Sequence, residues 1–227
     1  MSFQKAKTDA VLGNKVEQHL KKIGINTPTN SEMLNRPTEA KIQFIQECMS
    51  DAMTVLGLDL KDDSLADTPK RVAKMFVLEK FWGLHPENFP KCTTIENKMK
   101  YDEMVVERNV RIMSDCEHHL VTIDGLATIA YIPHGKVLGL SKMNRIAEYF
   151  SRRPQVQERL TQQIGEALKF ILESDDVAVV IKARHYCVIS RGVEDQNSET
   201  VTSYLSGAFR NNETTRSEFL AIANGMK

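Results

Sequence analysis

The sequence has no excess of charge of either sign. Its 30 lysine and arginine residues balance 30 aspartate and glutamate residues. A general nucleic-acid-binding protein needs a basic surface, because it must displace the cations that condense on the phosphates. We therefore expect no nucleic-acid partner, although small basic clusters are compatible with zero net charge.

Long apolar segments are also absent. No stretch approaches the roughly 20 apolar residues that a membrane-spanning helix requires, and none follows the lysines near the N-terminus. The sequence therefore predicts that the protein has no membrane partner and is cytoplasmic.

Cysteine is scarce, and its four residues, Cys48, Cys92, Cys116 and Cys187, stand far apart. This spacing is unlike the disulfide framework of a small secreted domain. We expect reduced thiols that are available for metal binding or chemistry. The sequence assigns no role to Cys48 or Cys92.

What is present resembles an ordinary globular protein of 227 residues, 41% hydrophobic and 26% charged, without an internal repeat. Apolar residues recur every three or four positions over 11–23 and 38–58, which predicts two helices joined by a polar, proline-marked linker. A third helix is predicted to begin at Asp67 or Thr68, with Pro69 at its first position. Residues 1–97 are thus predicted to form an N-terminal helical extension.

From about residue 98 the pattern predicts a second domain, 98–227, with an antiparallel sheet that carries helices. The predicted strands are 103–113, 119–123, 126–132, 177–190 and 200–209, and the predicted helices are 140–150, 156–173 and a short one near 215–223. Asp124-Gly125 predicts a hairpin turn, because glycine supplies the positive φ that such turns require. The predicted fold class is α+β.

A cysteine and two histidines stand close together at Cys116, His118 and His119. Cys116 and His119 have the C-x-x-H spacing that lets two side chains turn toward one cation. Far along the chain, His185 and Cys187 follow an apolar alternation, so we expect them on one buried face of the predicted strand 177–190. A thiolate beside an imidazole is a natural site for zinc.

The number of ligands separates two kinds of zinc site. Cys116, His119 and Cys187 form a three-ligand set, which leaves the fourth tetrahedral position for water and places His118 and His185 beside the metal. Alternatively, His118 or His185 closes the site and zinc is only structural. A further alternative is that Cys187 is a core thiol and the histidines are surface groups with other partners.

Two further groups of residues suggest ligand binding. Glu158 and Gln157 lie in a helix predicted to begin near Pro154, where they suit hydrogen bonding to the planar amidine edge of a base such as guanine. Alternatively, the glutamate is there only because the positive end of the helix dipole stabilises a negative charge. The candidates for binding an anion are Ser141 as a helix cap, Lys142, Arg145, Arg191, Arg71 and Lys74. Each basic residue is alternatively a solvated surface group, the interpretation that we favour for Lys74.

Four blocks of sequence, CEHH, GLSKMNR, RRPQVQERLT and HYCVISRG, are similar in order and spacing to the bacterial GTP cyclohydrolase I family. Members are zinc enzymes that convert GTP and water to 7,8-dihydroneopterin triphosphate and formate, the first step of tetrahydrofolate and pterin biosynthesis. The similarity weakens only in the first forty residues. It implies the tunnelling fold, with two long helices on the sheet, and a homodecamer of two pentamers with its pockets between subunits, and it leaves allosteric control open.

The resemblance also implies a role for individual residues. Cys116, His119 and Cys187 would bind zinc; His118 and His185 would transfer protons; Glu158, Gln157 and Ser141 would bind the guanine; Lys142, Arg145, Arg191 and Arg71 would bind the triphosphate. His134 stands where relatives more often have lysine, so it receives no role. The alternatives are another tunnelling-fold enzyme acting on a pterin or purine-derived substrate, and a non-catalytic zinc-stabilised oligomer that senses nucleotide.

Overall fold

The computed structural model describes residues 7–225 and has an α+β architecture, as predicted. The helices are α1 (Ala10–Lys22), α2 (Ser31–Leu34), α3 (Thr38–Val55), α4 (Thr68–Lys74), α5 (Ser141–Ser151), α6 (Gln157–Leu172), α7 (Tyr186–Ile189), α8 (Ala208–Asn211) and α9 (Glu213–Asn224). The strands are β1 (Thr94–Glu96), β2 (Val105–Cys116), β3 (Thr122–Tyr131), β4 (Lys136–Leu138), β5 (Pro154–Gln155), β6 (Val177–His185) and β7 (Thr200–Leu205). No helix within residues 7–225 is long and apolar enough to cross a membrane.

Asp9 is the N-cap of helix α1: its side chain accepts a hydrogen bond of 2.9 Å from the backbone N–H of Leu12. Of the four apolar residues that define its predicted face, Val16 and Leu20 are buried, whereas Val11 and Ile23 are exposed. Val16 and Leu20 belong to the same hydrophobic core as the sheet. The N-terminal helix therefore packs on the sheet domain, while the division of the chain at residues 97 and 98 stays a prediction.

The segment predicted as a polar linker contains a short helix, α2, so the linker prediction is wrong at residues 31–34. The Asn30 side chain begins this helix by accepting a hydrogen bond of 3.2 Å from the backbone N–H of Met33. Helix α4 begins at Thr68, which places Pro69 at the second helical position rather than the first. After Lys74 it continues as a π-helix, Met75–Lys80.

A five-stranded sheet, in the order β5-β2-β3-β6-β7, forms the centre of the protein. Neighbouring strands are antiparallel except β5, which pairs in parallel with only Asp115 and Cys116 of β2. Strands β1 and β4 form a separate antiparallel pair. The outer edges of β7 and of most of β2 thus have no strand partner among the described residues.

The hairpin predicted at Asp124-Gly125 is wrong. Strand β3 runs through both residues, and Gly125 pairs with Ile112 on one side and Ala183 on the other. A Cβ atom on Gly125 would overlap the carbonyl oxygen of Lys182, so glycine permits close approach of two strands rather than a turn. The chain actually turns between Cys116 and Thr122, within the segment that carries the two adjacent histidines.

Helices α5 and α6 pack on one face of the sheet and bury most of the apolar residues predicted for them; Val156, predicted for the buried face of α6, precedes the helix and is only half-buried. The buried core positions of the two helices include Met143, Ile146, Phe150, Leu160, Ile164, Leu168 and Ile171. Two predicted details are wrong. The predicted cap, Ser141, is instead the first residue of α5. The N-cap position is occupied by Leu140, and no side chain caps the helix with a hydrogen bond. Helix α6 begins at Gln157, because Pro154 and Gln155 form β5.

The other face of the sheet is covered near its end by α8 and α9. Phe209 and Phe219 from these helices are fully buried and meet edge to face, with ring centroids 5.4 Å apart. They pack against Ala178 and Val180, which point away from the main core. Strand β6 is therefore buried on both faces from Val177 to Ile181, which makes it a rigid support for the residues that follow it.

Candidate metal centre and active site

A tight turn at the end of β2 carries the first group of candidate ligands. Cys116 is the last residue of β2; its N–H donates to the carbonyl of Val121 at 2.8 Å, and its carbonyl accepts from the N–H of Leu120 at 2.8 Å. Leu120 closes the turn with a φ of 51°, in the left-handed region. The turn leaves Cys116 buried, whereas His118 and His119 project to the surface.

The second group follows strand β6, but not as one continuous strand. Strand β6 ends at His185, and the chain winds into the short helix α7, which contains Cys187. The prediction that His185 and Cys187 alternate on one strand face is therefore wrong. The helical turn gives Cys187 another direction than an extended chain would, and it brings the thiol beside Cys116.

Cys116, His119 and Cys187 form a compact cluster with the geometry of a metal site. One ligand atom from each residue lies within 4.8 Å of the other two. The Nδ1 atom of His119 is 4.0 Å from the Sγ atom of Cys116. Within residues 7–225 no fourth histidine, cysteine or carboxylate completes this set, which favours an open three-ligand site over a closed structural one.

The Cys187 thiol is harder to ionise than a free thiol in the absence of a cation. Burial, and next the neighbouring Cys116 thiol, raise the pKa of Cys187 above its usual value. A bound metal reverses this effect, because its charge stabilises both thiolates. Two soft sulfur atoms and one imidazole nitrogen suit zinc, so the residues present fit the metal that the resemblance implies.

His118 lies beside this cluster rather than in it. Its Nδ1 atom is 3.7 Å from the Cys116 sulfur, yet it does not belong to the set whose ligand atoms all lie within 4.8 Å of one another. Its Nε2 atom is 3.9 Å from a carboxylate oxygen of Glu117. The structure therefore keeps the two adjacent histidines in different environments.

His185 is held by the side chain of Gln157. The Nε2 atom of His185 is 2.7 Å from Oε1 of Gln157, while the amide nitrogen of Gln157 donates to the carbonyls of Ile181 and Thr200 and to the Thr202 hydroxyl. Because these donations orient the amide, its oxygen faces His185, and the ring carries its proton on Nε2. This tautomer leaves Nδ1 as the ring atom that can accept a proton.

Electrostatics keep His185 neutral near pH 7. Burial lowers the pKa of His185 below its usual value, and the carboxylate of Glu158 opposes that shift. Glu158 is exposed in the first turn of α6, as predicted, within electrostatic range of His185. Gln157 is only 1% exposed and its amide nitrogen is engaged with three acceptors, so a direct contact of Gln157 with guanine stays a prediction.

Arg191 is the basic residue that the structure places at the cluster. Its guanidinium lies 2.9 Å from the Nε2 atom of His119, on the side away from Cys116. It follows Ser190 in an exposed loop, where Gly192 adopts a φ of 70°. A cation at this position suits an anionic ligand bound beside the metal.

The other candidates for anion binding do not reach the cluster. Among the described residues, Ser141, Lys142 and Arg145 at the start of α5 make no hydrogen bond or ion pair with it. Arg71 pairs instead with Asp67, at 3.5 Å on an exposed surface. The assignment of these four residues to the substrate stays a prediction.

Two ion pairs that sequence reasoning missed support the ligand turn. Arg159 donates two hydrogen bonds, of 2.7 and 2.8 Å, to one oxygen of Glu117. Lys80, on the π-helix, donates to the buried carboxylate of Asp115. Glu117 and Arg159 adjoin candidate site residues in the sequence, which is a usable signal, whereas nothing local indicates that the π-helix meets Asp115.

The residues without an assigned role lie elsewhere. Cys48 is exposed on α3, and Cys92 is half-buried, with burial as the main cause that raises its pKa to about 12. His134 lies 2.5 Å from Asp176. None of the three joins the metal cluster.

Comparison with known proteins extends over nearly the whole chain. The family model of GTP cyclohydrolase I matches residues 45–224. The GTP cyclohydrolase 1 of Vibrio vulnificus strain YJ016 is 56% identical over 205 residues, covering 90% of this chain and 94% of the relative. The GTP cyclohydrolase 1 of Shewanella denitrificans is 54% identical over 218 residues, covering 96% of this chain and 99% of the relative. The range matched by the family model includes every candidate site residue described above.

Proposed function

The chain belongs to the GTP cyclohydrolase I family, and from this premise we propose that it converts GTP and water to 7,8-dihydroneopterin triphosphate and formate. One observation carries the proposal: the open cluster of Cys116, His119 and Cys187 lies beside a neutral histidine, His185, and an exposed carboxylate, Glu158. This combination provides metal ligands, a proton-transfer group and a partner for a base.

We infer that the resident metal is Zn2+, held by Cys116, His119 and Cys187. When bound at such a site, the cation acts as a Lewis acid and lowers the pKa of a water molecule toward neutrality. The protein's own contribution is to hold the ligands: the turn closed by Leu120 fixes Cys116 and His119, and α7 fixes Cys187. The ion pair of Arg159 with Glu117 holds this turn against α6.

Guanine recognition is assigned to Glu158. Its exposed carboxylate can accept two hydrogen bonds from the planar amidine edge of guanine, an edge that adenine lacks. Gln157 and Ser141 are proposed for the same pocket. Because Gln157 also binds His185, base recognition and the placement of this histidine meet at the first turn of α6.

The proton transfers are assigned to His118 and His185. Water adds to carbon 8 of the purine while one of the two histidines, in its protonated form, donates a proton to nitrogen 7. The bond between carbon 8 and nitrogen 9 then breaks as the hydroxyl proton of the adduct passes to nitrogen 9, which opens the ring and leaves a formamide on nitrogen 7. Hydrolysis of the bond between carbon 8 and nitrogen 7 releases carbon 8 as formate. The ribose then opens, rearranges to a ketose and closes onto the freed amine to form the pterin ring. His185 exchanges its proton at Nδ1, since Nε2 is bonded to Gln157.

The triphosphate is assigned to Lys142, Arg145, Arg191 and Arg71, with some of these supplied by a neighbouring subunit. The sheet supports an assembly of this kind, because open edges on β2 and β7 allow one chain to continue the sheet of the next in a closed ring. We propose a homodecamer of two pentamers. We also propose that the protein is cytoplasmic and that its reaction is the first step of tetrahydrofolate and pterin biosynthesis.

Incubation of the purified protein with GTP tests this function. We expect equimolar formate and a fluorescent pterin after oxidation, with no product from ATP. Removal of metal by a chelator should abolish both products, and zinc should restore them. GTP binding without formate would instead support a nucleotide-sensing oligomer, and turnover that resists complete metal removal would contradict the role of zinc.

A further inference from the structure

A cavity of about 630 Å³ lies behind the ligand turn. Its walls come from the linker around α2, the first half of α3, the π-helix and residues 81–85. Glu117, His118 and Pro154 form its remaining wall, whereas Cys116, His119 and Cys187 do not line it. The cavity thus adjoins the ligand turn through Glu117 and His118, but none of the three candidate metal ligands faces it.

Most of the cavity wall is apolar and aromatic. Phe76 from the π-helix and Phe81 stack with ring centroids 5.5 Å apart and planes at 20°. Ile45 and Leu84 extend this surface. The volume is in the range of small-molecule sites, which are typically apolar with a few placed polar groups.

One cation stands in this apolar surrounding. The ammonium group of Lys41 donates to the carbonyl of Leu34 and lies 3.2 Å from Nε2 of His85. His85 can accept this bond because burial, and then the charge of Lys41, lower the pKa of His85, so its ring is neutral. Its Nδ1 atom lies 3.6 Å from Glu87 and carries the proton in the tautomer that satisfies both contacts.

Lys41 keeps one donor unused. An ammonium group has three N–H bonds, and two acceptors are accounted for within residues 7–225. No carboxylate in that part of the chain lies within ion-pair distance of Lys41; Glu87 acts on it only through its charge. Desolvation lowers the pKa of Lys41, so the cation has lost water contacts without gaining an anionic partner.

We propose that this cavity is a second binding site, distinct from the proposed GTP site, for a small aromatic carboxylic acid. The aromatic ring would lie against the surface of Phe76 and Phe81, and the carboxylate would accept the free N–H of Lys41. Charge complementarity selects an acid over a neutral molecule, because an anion here pairs with a cation that is already partly desolvated. Its occupant would touch Glu117 and His118, and hence the turn that carries two of the candidate metal ligands.

Binding of naphthalene-1-acetate and its neutral isostere naphthalene-1-acetamide, measured by titration calorimetry on the full chain, tests this site. We expect the acid to bind about tenfold more tightly than the amide, because its carboxylate pairs with the Lys41 cation whereas the amide offers only a neutral acceptor. Lys41→Met should abolish this preference. Lys70→Met, which removes an exposed lysine of α4, should preserve it.

Filling the cavity provides a second measurement. Ile45→Trp, or Val77→Phe should the tryptophan variant fail to fold, should weaken both probes by at least about tenfold, because either side chain occupies the space of the ring. The proposal is wrong if the acid is not preferred, if Lys41→Met keeps the preference, or if filling leaves binding unchanged. Displacement of the probe by GTP from metal-depleted protein would show instead that the cavity belongs to the substrate site.

Discussion

Two clusters of polar side chains contact helix α6, and they differ in what they do with their hydrogen-bonding groups. One is the metal cluster with His185 and Gln157. The other, which we call the buried network, consists of Arg153, Gln155, Gln163, Thr27 and Glu17. Both lie in segments rich in polar and charged residues, so residue type alone makes each cluster a candidate for a catalytic or binding site.

In the buried network the polar groups bind one another. Arg153 is 1% exposed, donates to the carbonyl of Gly83 at 2.7 Å and reaches Glu17 at 3.4 Å, while its guanidinium lies over the ring of Tyr149. Gln163 donates to the Thr27 hydroxyl at 3.2 Å. This network ties α1 and the segment after it to the sheet domain.

In the metal cluster the ligand atoms face one another without strong bonds. The Nδ1 atom of His119 is 4.0 Å from the Cys116 sulfur, too long for a good hydrogen bond. One ligand atom from each of Cys116, His119 and Cys187 lies within 4.8 Å of the other two, which suits the enclosure of a cation. The buried network thus uses nearly all of its donors and acceptors internally, with Oε1 of Gln155 as an exception, whereas the candidate metal ligands are left facing a common space.

Of the substitutions that test this difference between the two clusters, Cys187→Ser should have the largest effect on activity. Loss of a ligand should remove zinc and, because a Lewis-acid cation supplies several kcal/mol, lower turnover by about 1,000-fold. The free energy of unfolding of the metal-free protein should change by less than about 1 kcal/mol, since the half-buried thiol lies at the margin of the core and serine has nearly the same size. Metal analysis, the formate assay and urea denaturation measure these quantities.

Cys48→Ser is the matched control, because Cys48 is exposed and outside the cluster. It should keep both zinc and activity. Full zinc content in Cys187→Ser would remove Cys187 from the ligands, and a large loss of stability in the metal-free state would make the cluster resemble the buried network.

Arg153→Met should lower the free energy of unfolding without changing the zinc content, the opposite of the result expected for Cys187→Ser. The substitution leaves the carboxylate of Glu17, whose side chain is 12% exposed, without its cation, and breaking a buried pair costs about 3–5 kcal/mol. We expect a loss of about that size in urea denaturation, with normal zinc content in the protein that remains folded. Arg152→Met, at the preceding and more exposed arginine, should cost less than about 1 kcal/mol. Similar losses in the two variants would contradict the distinction between them.

The sequence predicts the metal cluster better than the buried network for a physical reason. Cysteine and histidine have few roles when they occur at ligand spacing, so Cys116, His119 and Cys187 stand out by residue type. Arginine and glutamine are usually exposed, and the burial of Arg153 depends on α1 packing against α6 from far along the chain. No local pattern contains that information.

The errors in the fold have the same origin. Asp124-Gly125 has the composition of a hairpin turn, but the close approach of β6 at Gly125 is a tertiary contact, which overrides the local preference. The end of β6 at His185, where the chain winds into α7 and brings Cys187 beside Cys116, is likewise not visible in the alternation of apolar residues. Helices α5 and α6, whose periodicity is long and regular, were predictable to within a few residues at their ends.

The comparison is tested most closely by two glutamines on one helix. Gln157 and Gln163 are both fully buried in α6, one bonded to His185 and the other part of the buried network. Gln157→Met should lower kcat for GTP by about tenfold with little change in KM, because His185 loses the partner that fixes its tautomer and orientation. Gln163→Met should leave kcat unchanged and lower the free energy of unfolding by about 1–3 kcal/mol, since it leaves buried groups unpaired.

Steady-state kinetics with GTP and urea denaturation of both variants separate the possible outcomes. If Gln157 binds guanine directly, as the resemblance implies, Gln157→Met should raise KM and weaken discrimination against ATP instead of lowering kcat. If both variants lose only stability, Gln157 belongs with the buried network despite its contact with His185. A kcat effect confined to Gln157 would show that the first turn of α6 serves the reaction while its middle serves the fold, because methionine at either position removes the same hydrogen-bonding groups from the same helix.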